Sequence, residues 1–168
     1  MKKLLTICLL MATLFTLKAQ ETKKVFIVFQ TQSLSVKHTV NNKDVWKAEI
    51  PYKNYVRIII SPFDVPVDYD SNYALAKALE NQIAEFAYKN HLVEFEKLKQ
   101  HNLALNFSVR DYNTRSYDNE TKDCKDCGYQ YEKTIINGFQ FKPVEEKTYS
   151  ENYKKMHTLF TGKKWGVN

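Results

Sequence analysis

The chain of 168 residues carries 25 Lys and Arg against 19 Asp and Glu, a formal net charge of +6, and has only four glycines. The bases are interleaved with acids, as in Lys43-Asp44 and Glu94-Phe95-Glu96-Lys97, instead of forming a basic stripe, which argues against nucleic-acid binding. So few glycines leave little from which to build a phosphate-cradling loop, and neither a nucleophile elbow nor a paired-histidine zinc helix is present.

Met1-Lys2-Lys3 is a basic start, Leu4 to Leu17 is a run of apolar and hydroxyl residues, and Lys18-Ala19-Gln20 closes it. This order predicts a cleavable secretory signal peptide over residues 1–19, cut after Ala19 or Gln20. As a helix the run would reach roughly 21 Å, short of a bilayer core of about 30 Å, so no membrane anchor is expected after cleavage. Three of the 25 bases (Lys2, Lys3, Lys18) precede the cut and all 19 acids follow it, which lowers the net charge to +3. The expected address is export of the bacterial type, to the periplasm or the extracellular space. Residues 20–168 suffice for a single α+β domain, since a chain of that size buries about 68–70% of its unfolded surface.

Val25 to Phe29 is apolar on both alternating faces, the mark of a central strand covered on both sides. Leu34, Val36 and Val40 alternate with polar residues, and Asn41-Asn42-Lys43-Asp44 is a turn by composition. Trp46, Ala48 and Ile50 share a face of a third strand, and Tyr55 to Ile60 forms a fourth. Short connections predict an antiparallel four-strand meander. Pro62 and Pro66 bracket a linker, and Asp70 or Ser71 caps a long helix carrying Leu75, Leu79, Ile83, Phe86, Val93 and Leu98, with a weak point at Asn90-His91. Leu103, Leu105, Phe107 and Val109 mark a half-buried strand, and residues 111–126 read as a polar loop. Asn137-Gly138 supplies a type I′ hairpin turn between residues 129–136 and 139–141. Ser150 opens a short helix with Tyr153, Met156 and Phe160 on one side, and Gly162 stops it. The expected fold is α+β: an antiparallel sheet of about seven strands packed by one long central helix and a short C-terminal helix.

The sharpest local feature is Asp123-Cys124-Lys125-Asp126-Cys127-Gly128-Tyr129-Gln130-Tyr131-Glu132. This stretch resembles the first metal knuckle of rubredoxins, in which two cysteines two residues apart precede Gly and Tyr. A site of that kind needs a second cysteine pair downstream, and the sequence has none; His38, His91, His101 and His157 lack partner spacing to the pair. A disulfide between Cys124 and Cys127 is the preferred reading in an oxidising compartment, contributing about 2 kcal/mol, ahead of a redox pair or a metal site. Thioredoxin-type chemistry would place the pair at a helix N-terminus, whereas this pair leads into a strand-like run.

Asp68, Asp70 and Asn72, with Asp64 nearby, resemble the opening of a calcium loop. Tyr73 and Leu79 occupy the positions where that loop needs Gly and Glu, so no metal site is assigned. His38 reads as a half-buried, hydrogen-bonded imidazole. Eleven Tyr, among them Tyr52, Tyr55, Tyr112, Tyr117, Tyr129 and Tyr131 near turns, suit either a β-rich core or a face for a protein or glycan partner. No catalytic residue and no cofactor is assigned. The leading expectation is a non-catalytic binding or interaction protein; the alternative is a small extracytoplasmic hydrolase with dispersed acid and base, and a thiol or metal protein using the cysteine pair ranks below both.

Overall fold

The computed structural model describes residues 20–31, 35–48, 55–99, 105, 107–123 and 131–166. The leader, Cys124 and Cys127, His101, and the side chain of His38 lie outside the described residues. In chain order the elements are β1 (Thr22–Gln30), β2 (Ser35–Val40), β3 (Lys43–Ala48), β4 (Tyr55–Pro66), α1 (Tyr73–Asn90), α2 (Leu92–Lys99), β5 (Ser108–Asp111), α3 (Thr114–Thr121), β6 (Tyr131–Ile136) and α4 (Glu151–Thr161).

The α+β class holds, but the sheet is not a seven-stranded antiparallel meander. Four strands form one mixed sheet in the order β5-β1-β4-β6, and β2 and β3 form a separate two-stranded hairpin. β1 pairs antiparallel with both β4 and β5, while β4 and β6 run parallel. The meander fails because β1 is apolar on both faces and pairs with the other Ile/Val-rich strand, β4, bypassing the amphipathic pair between them. Asn41 and Asn42 adopt positive φ (53° and 56°), the geometry of a two-residue I′ turn, and close the β2–β3 hairpin.

β1 is covered on both sides, as its sequence requires. Val25, Ile27 and Phe29 enter the main core with residues of α1, α2 and α4; Phe26 and Val28 join Ile59 and Tyr117 on the opposite face. β4 does not end before Pro62 but continues to Pro66. Its register against β1 slips by one residue, from Ile27↔Ile60 to Val25↔Phe63, so Ser61 and Pro62 form a bulge. A bulge tolerates a proline, which has no N–H to give the ladder. It also reverses the side-chain alternation, so Ile58, Ile60, Phe63 and Val65 all reach the same core.

The long helical pattern divides at His91 into α1 and α2, as the weak point at Asn90-His91 predicts. The α1 cap is Asn72 and not Asp70 or Ser71: its side chain accepts from the amides of Ala74 (3.1 Å) and Leu75 (3.3 Å). Residues 111–126 are not all loop, because α3 forms there on a capping box between Asn113 and Ser116. The hairpin expected at Asn137-Gly138 is absent. Gly138 has φ +87° while Asn137 is not in the positive-φ region that a I′ turn requires at both positions.

Residues 137–150 instead run as an irregular segment along α1, which supplies side chains where a strand would supply backbone. Gln82 donates to the Lys142 carbonyl (2.7 Å) and accepts from its amide (2.9 Å). Asn81 donates to the Thr148 carbonyl (3.0 Å) and accepts from the Ser150 amide (2.8 Å), and Lys77 reaches the Lys147 carbonyl (3.3 Å). These bonds account for the burial of Asn81 and Lys77. Phe139 stands edge-on to Phe63 (4.7 Å) and Phe86 (5.4 Å), pinning the segment to the core. α4 follows as expected: the Ser150 hydroxyl accepts from the Tyr153 amide (3.1 Å), Tyr153, Met156 and Phe160 are buried, and Gly162 closes it at φ +67°.

Candidate functional site

The residues singled out in the sequence do not converge. Asn72 spends its side-chain oxygen on α1, Asp70 accepts from the Ser71 amide (3.1 Å) and lies 4.0 Å from Lys23, and Asp64 is exposed on β4. Among the described residues no group of three or more His, Cys, Asp or Glu is placed to hold a metal ion. His91 Nδ1 lies 3.5 Å from Glu94, while the His91 amide donates to the Ala87 carbonyl and closes α1. Tyr117 is not part of an exposed face: it packs edge-on against Phe26 (5.3 Å) and its hydroxyl lies 3.4 Å from Ser61 Oγ. Tyr112 is exposed beside it. Tyr52 and Tyr129 lie outside the described residues, as do the side chains of Tyr55 and Tyr131.

A different set of side chains forms a concavity among the described residues. α2 and α4 meet through an edge contact of Phe95 and Phe160 (6.4 Å), and a groove of about 730 Å³ runs along the outer side of this seam. That volume falls within the range of small-molecule sites, roughly 300–1,000 Å³. Its half-buried base is Tyr88 at the end of α1, Leu92 of α2, Leu159 of α4 and Trp165 beyond α4. Spacing explains why two helices contribute: Leu92, Glu96 and Lys99 lie on one face of α2, and Glu151, Lys155 and Leu159 on one face of α4.

The rim is charged. Lys99, Lys154, Lys155 and Lys164 line it together with Glu96 and Glu151, four positive groups against two negative. Lys154 is committed to Glu151 (2.5 Å), which, with Lys155 nearby, holds the Glu151 carboxyl below its ordinary value. Lys155 Nζ sits 5.3 Å from the Tyr88 ring centroid, a cation–π contact over the groove base. Lys99 and Lys164 form no ion pair with the described residues.

Trp165 is held as a wall by an aromatic array. It stands edge-on to Tyr149 (5.0 Å), Tyr153 (5.4 Å) and His157 (4.7 Å), and Tyr149 stacks on Tyr153 at 4.2 Å. Of the stretch Lys163-Lys164-Trp165, the indole docks while the two lysines stay exposed. Behind the array, Lys77 Nζ lies 4.9 Å from the Tyr149 ring and 4.2 Å from the Tyr73 ring. Burial raises the Tyr153 phenol to about 12, with the Glu80 charge adding to it, and burial plus a hydrogen bond with Glu80 raises Tyr149 further. Both stay protonated at physiological pH. Burial likewise raises Tyr69, with Asp70 and Asp111 adding to it. For Glu85 partial burial pushes upward, but hydrogen bonds from Lys89 and Asn152 outweigh it and leave the carboxyl below its ordinary value.

The groove was not legible in the sequence because its parts come from four separate segments and its lysines look like ordinary solvated residues. The one available signal was the apolar ending at Trp165, twelve residues after the aromatic Tyr153 that supports it. Among the described residues no helix is long and apolar enough to cross a membrane. Comparison with protein-family models, with curated proteins and with solved structures finds no match to this chain.

Proposed function

We propose that the chain is an exported, non-catalytic binding protein whose ligand seats in the groove between α2 and α4. The observation that carries this reading is the groove itself: an apolar base of Tyr88, Leu92, Leu159 and Trp165 under a lysine-rich rim, in a volume suited to a small molecule. The His91–Glu94 pair, the one His–acid contact among the described residues, does not line the groove.

Export rests on the leader pattern of residues 1–19, and a Cys124–Cys127 disulfide belongs to the same reading. Intact mass of the exported protein tests both: the expected species begins at Gln20 or Glu21 and lacks two hydrogens at the cysteine pair, and a retained leader sinks the export reading. For the groove, amide chemical-shift mapping with a set of small apolar probes is expected to cluster responses on α2, α4 and Trp165. Turnover of a generic ester or glycoside by the purified protein, abolished by a single carboxylate substitution, would replace binding with hydrolysis.

A further inference from the structure

Resting on the groove as the binding site, we infer that its ligand is a single-chain amphiphile with one anionic head. Two features select this class. The base offers four half-buried side chains, Leu92 and Leu159 on the two helices with Tyr88 and Trp165 beside them, an apolar floor that suits a hydrocarbon chain. The rim carries a surplus of positive charge: with Lys154 paired to Glu151, Lys99, Lys155 and Lys164 oppose Glu96 alone. An anionic head is attracted to that rim, and a cationic head is repelled by it.

A protein partner fits less well. A stable protein interface buries about 800 Å² on each side around an apolar centre. The exposed large apolar side chains among the described residues are Val40, Val67, Tyr73, Val93, Tyr112, Ile135 and Val144. Val93 follows the groove residue Leu92 along the chain, and Tyr73 reaches the array behind Trp165 only across Lys77, so the exposed apolar side chains beside the groove are isolated ones. A lone chain needs no more than the groove provides.

Trp165 is both a wall and a reporter. The sequence has two tryptophans, so Trp46→Phe leaves the emission of Trp165 alone. In this variant of the full exported protein, dodecanoate and dodecyl phosphate, below their micelle concentrations, are expected to shift the emission saturably, and the stronger of the two identifies the head as carboxylate or phosphate. Dodecyltrimethylammonium and dodecyl maltoside should bind at least about tenfold more weakly. Replacing Lys99, Lys155 and Lys164 together by Gln should weaken the anionic amphiphiles about tenfold and leave the maltoside unchanged, and added salt should act in the same direction. Equal response to all four heads overturns the anionic assignment while leaving the groove as a binding site. No response to any chain overturns the groove reading as well. If Trp46→Phe does not fold, the indole N–H resonance of Trp165 in the wild type, assigned by its loss in Trp165→Phe, reads the same outcomes.

Discussion

The two faces of the central sheet are closed by different forces. On one face, Val25, Ile27, Phe29, Ile58, Ile60, Phe63 and Val65 are buried under α1, α2 and α4 in a continuous apolar core. On the other, Phe26, Val28 and Ile59 form a small cluster under α3, to which Tyr117 alone adds a large side chain. α3 has no buried residue and eight residues in all, too short to persist unaided. Charge and hydrogen bonds hold it. Glu120 lies between Arg57 (2.7 Å) and Arg110, and Lys133 binds the Thr121 carbonyl at the helix end and Asp123 (2.7 Å). One face is therefore fixed by area removed from water, the other by a few hydrogen-bonded charges, of which Arg57, Glu120 and Lys133 are mostly buried. Damage should spread on the first and stay local on the second.

The largest effect is expected from Phe29→Ala, which removes edge contacts to Phe95 (4.9 Å) and a tilted contact to Phe107 (5.5 Å). It should cost about 3–5 kcal/mol in denaturant unfolding and lower protection throughout the main core. Glu120→Ala comes next. Arg57 and Arg110 lose a carboxylate whose side chain is only 17% exposed, at a cost of about 2–3 kcal/mol. Hydrogen exchange should then rise across α3 while α1, α2 and α4 keep their protection. Equal loss of protection on both faces would dissolve the distinction between them.

Alkaline titration probes the aromatic support of the groove. Tyr153 ionises near 12 in the folded protein against 10.0 for an ordinary tyrosine, so the unfolded chain releases its proton first. The stabilisation is complete below pH 10 and is lost as pH rises through about 12, an effect on the order of 2 kcal/mol. Tyrosinate absorbance should therefore show a late step that accompanies loss of Trp165 packing. A smaller effect, about 1 kcal/mol, is expected for Ser150→Ala, which leaves the Tyr153 amide without its cap and should fray only the first turn of α4.

Local chemistry made some of this legible in advance. Val25 to Phe29 announced a doubly covered strand, Asn90-His91 a helix break, and Ser150 with Gly162 the two ends of α4. What escaped depended on contacts between distant segments. The pairing of β1 with β4 skips a hairpin, and the preference of one apolar strand for another is invisible to short-range pattern. Pro62 ends a strand by local rule, but a bulge admits it. α3 lacks an apolar repeat because its anchors are Glu120 and the arginines of β4 and β5, although Asn113 and Ser116 did carry a capping signal. Gly138 keeps its positive φ, yet Phe139 and Phe141 gain more by packing into the core than by pairing in a hairpin. The groove escaped for the same reason: Lys99, Lys155 and Lys164 acquire a common meaning only after α2 and α4 are side by side.

The most direct measurement is amide and indole chemical-shift mapping of the full exported protein titrated with dodecanoate. Saturable shifts are expected at Tyr88, Leu92–Lys99, Glu151–Thr161, Lys164 and Trp165, with α3 and its Arg57–Glu120–Arg110 anchor unmoved. Shifts centred on α3 or β6, or none at any residue of α2 and α4, would contradict the groove reading.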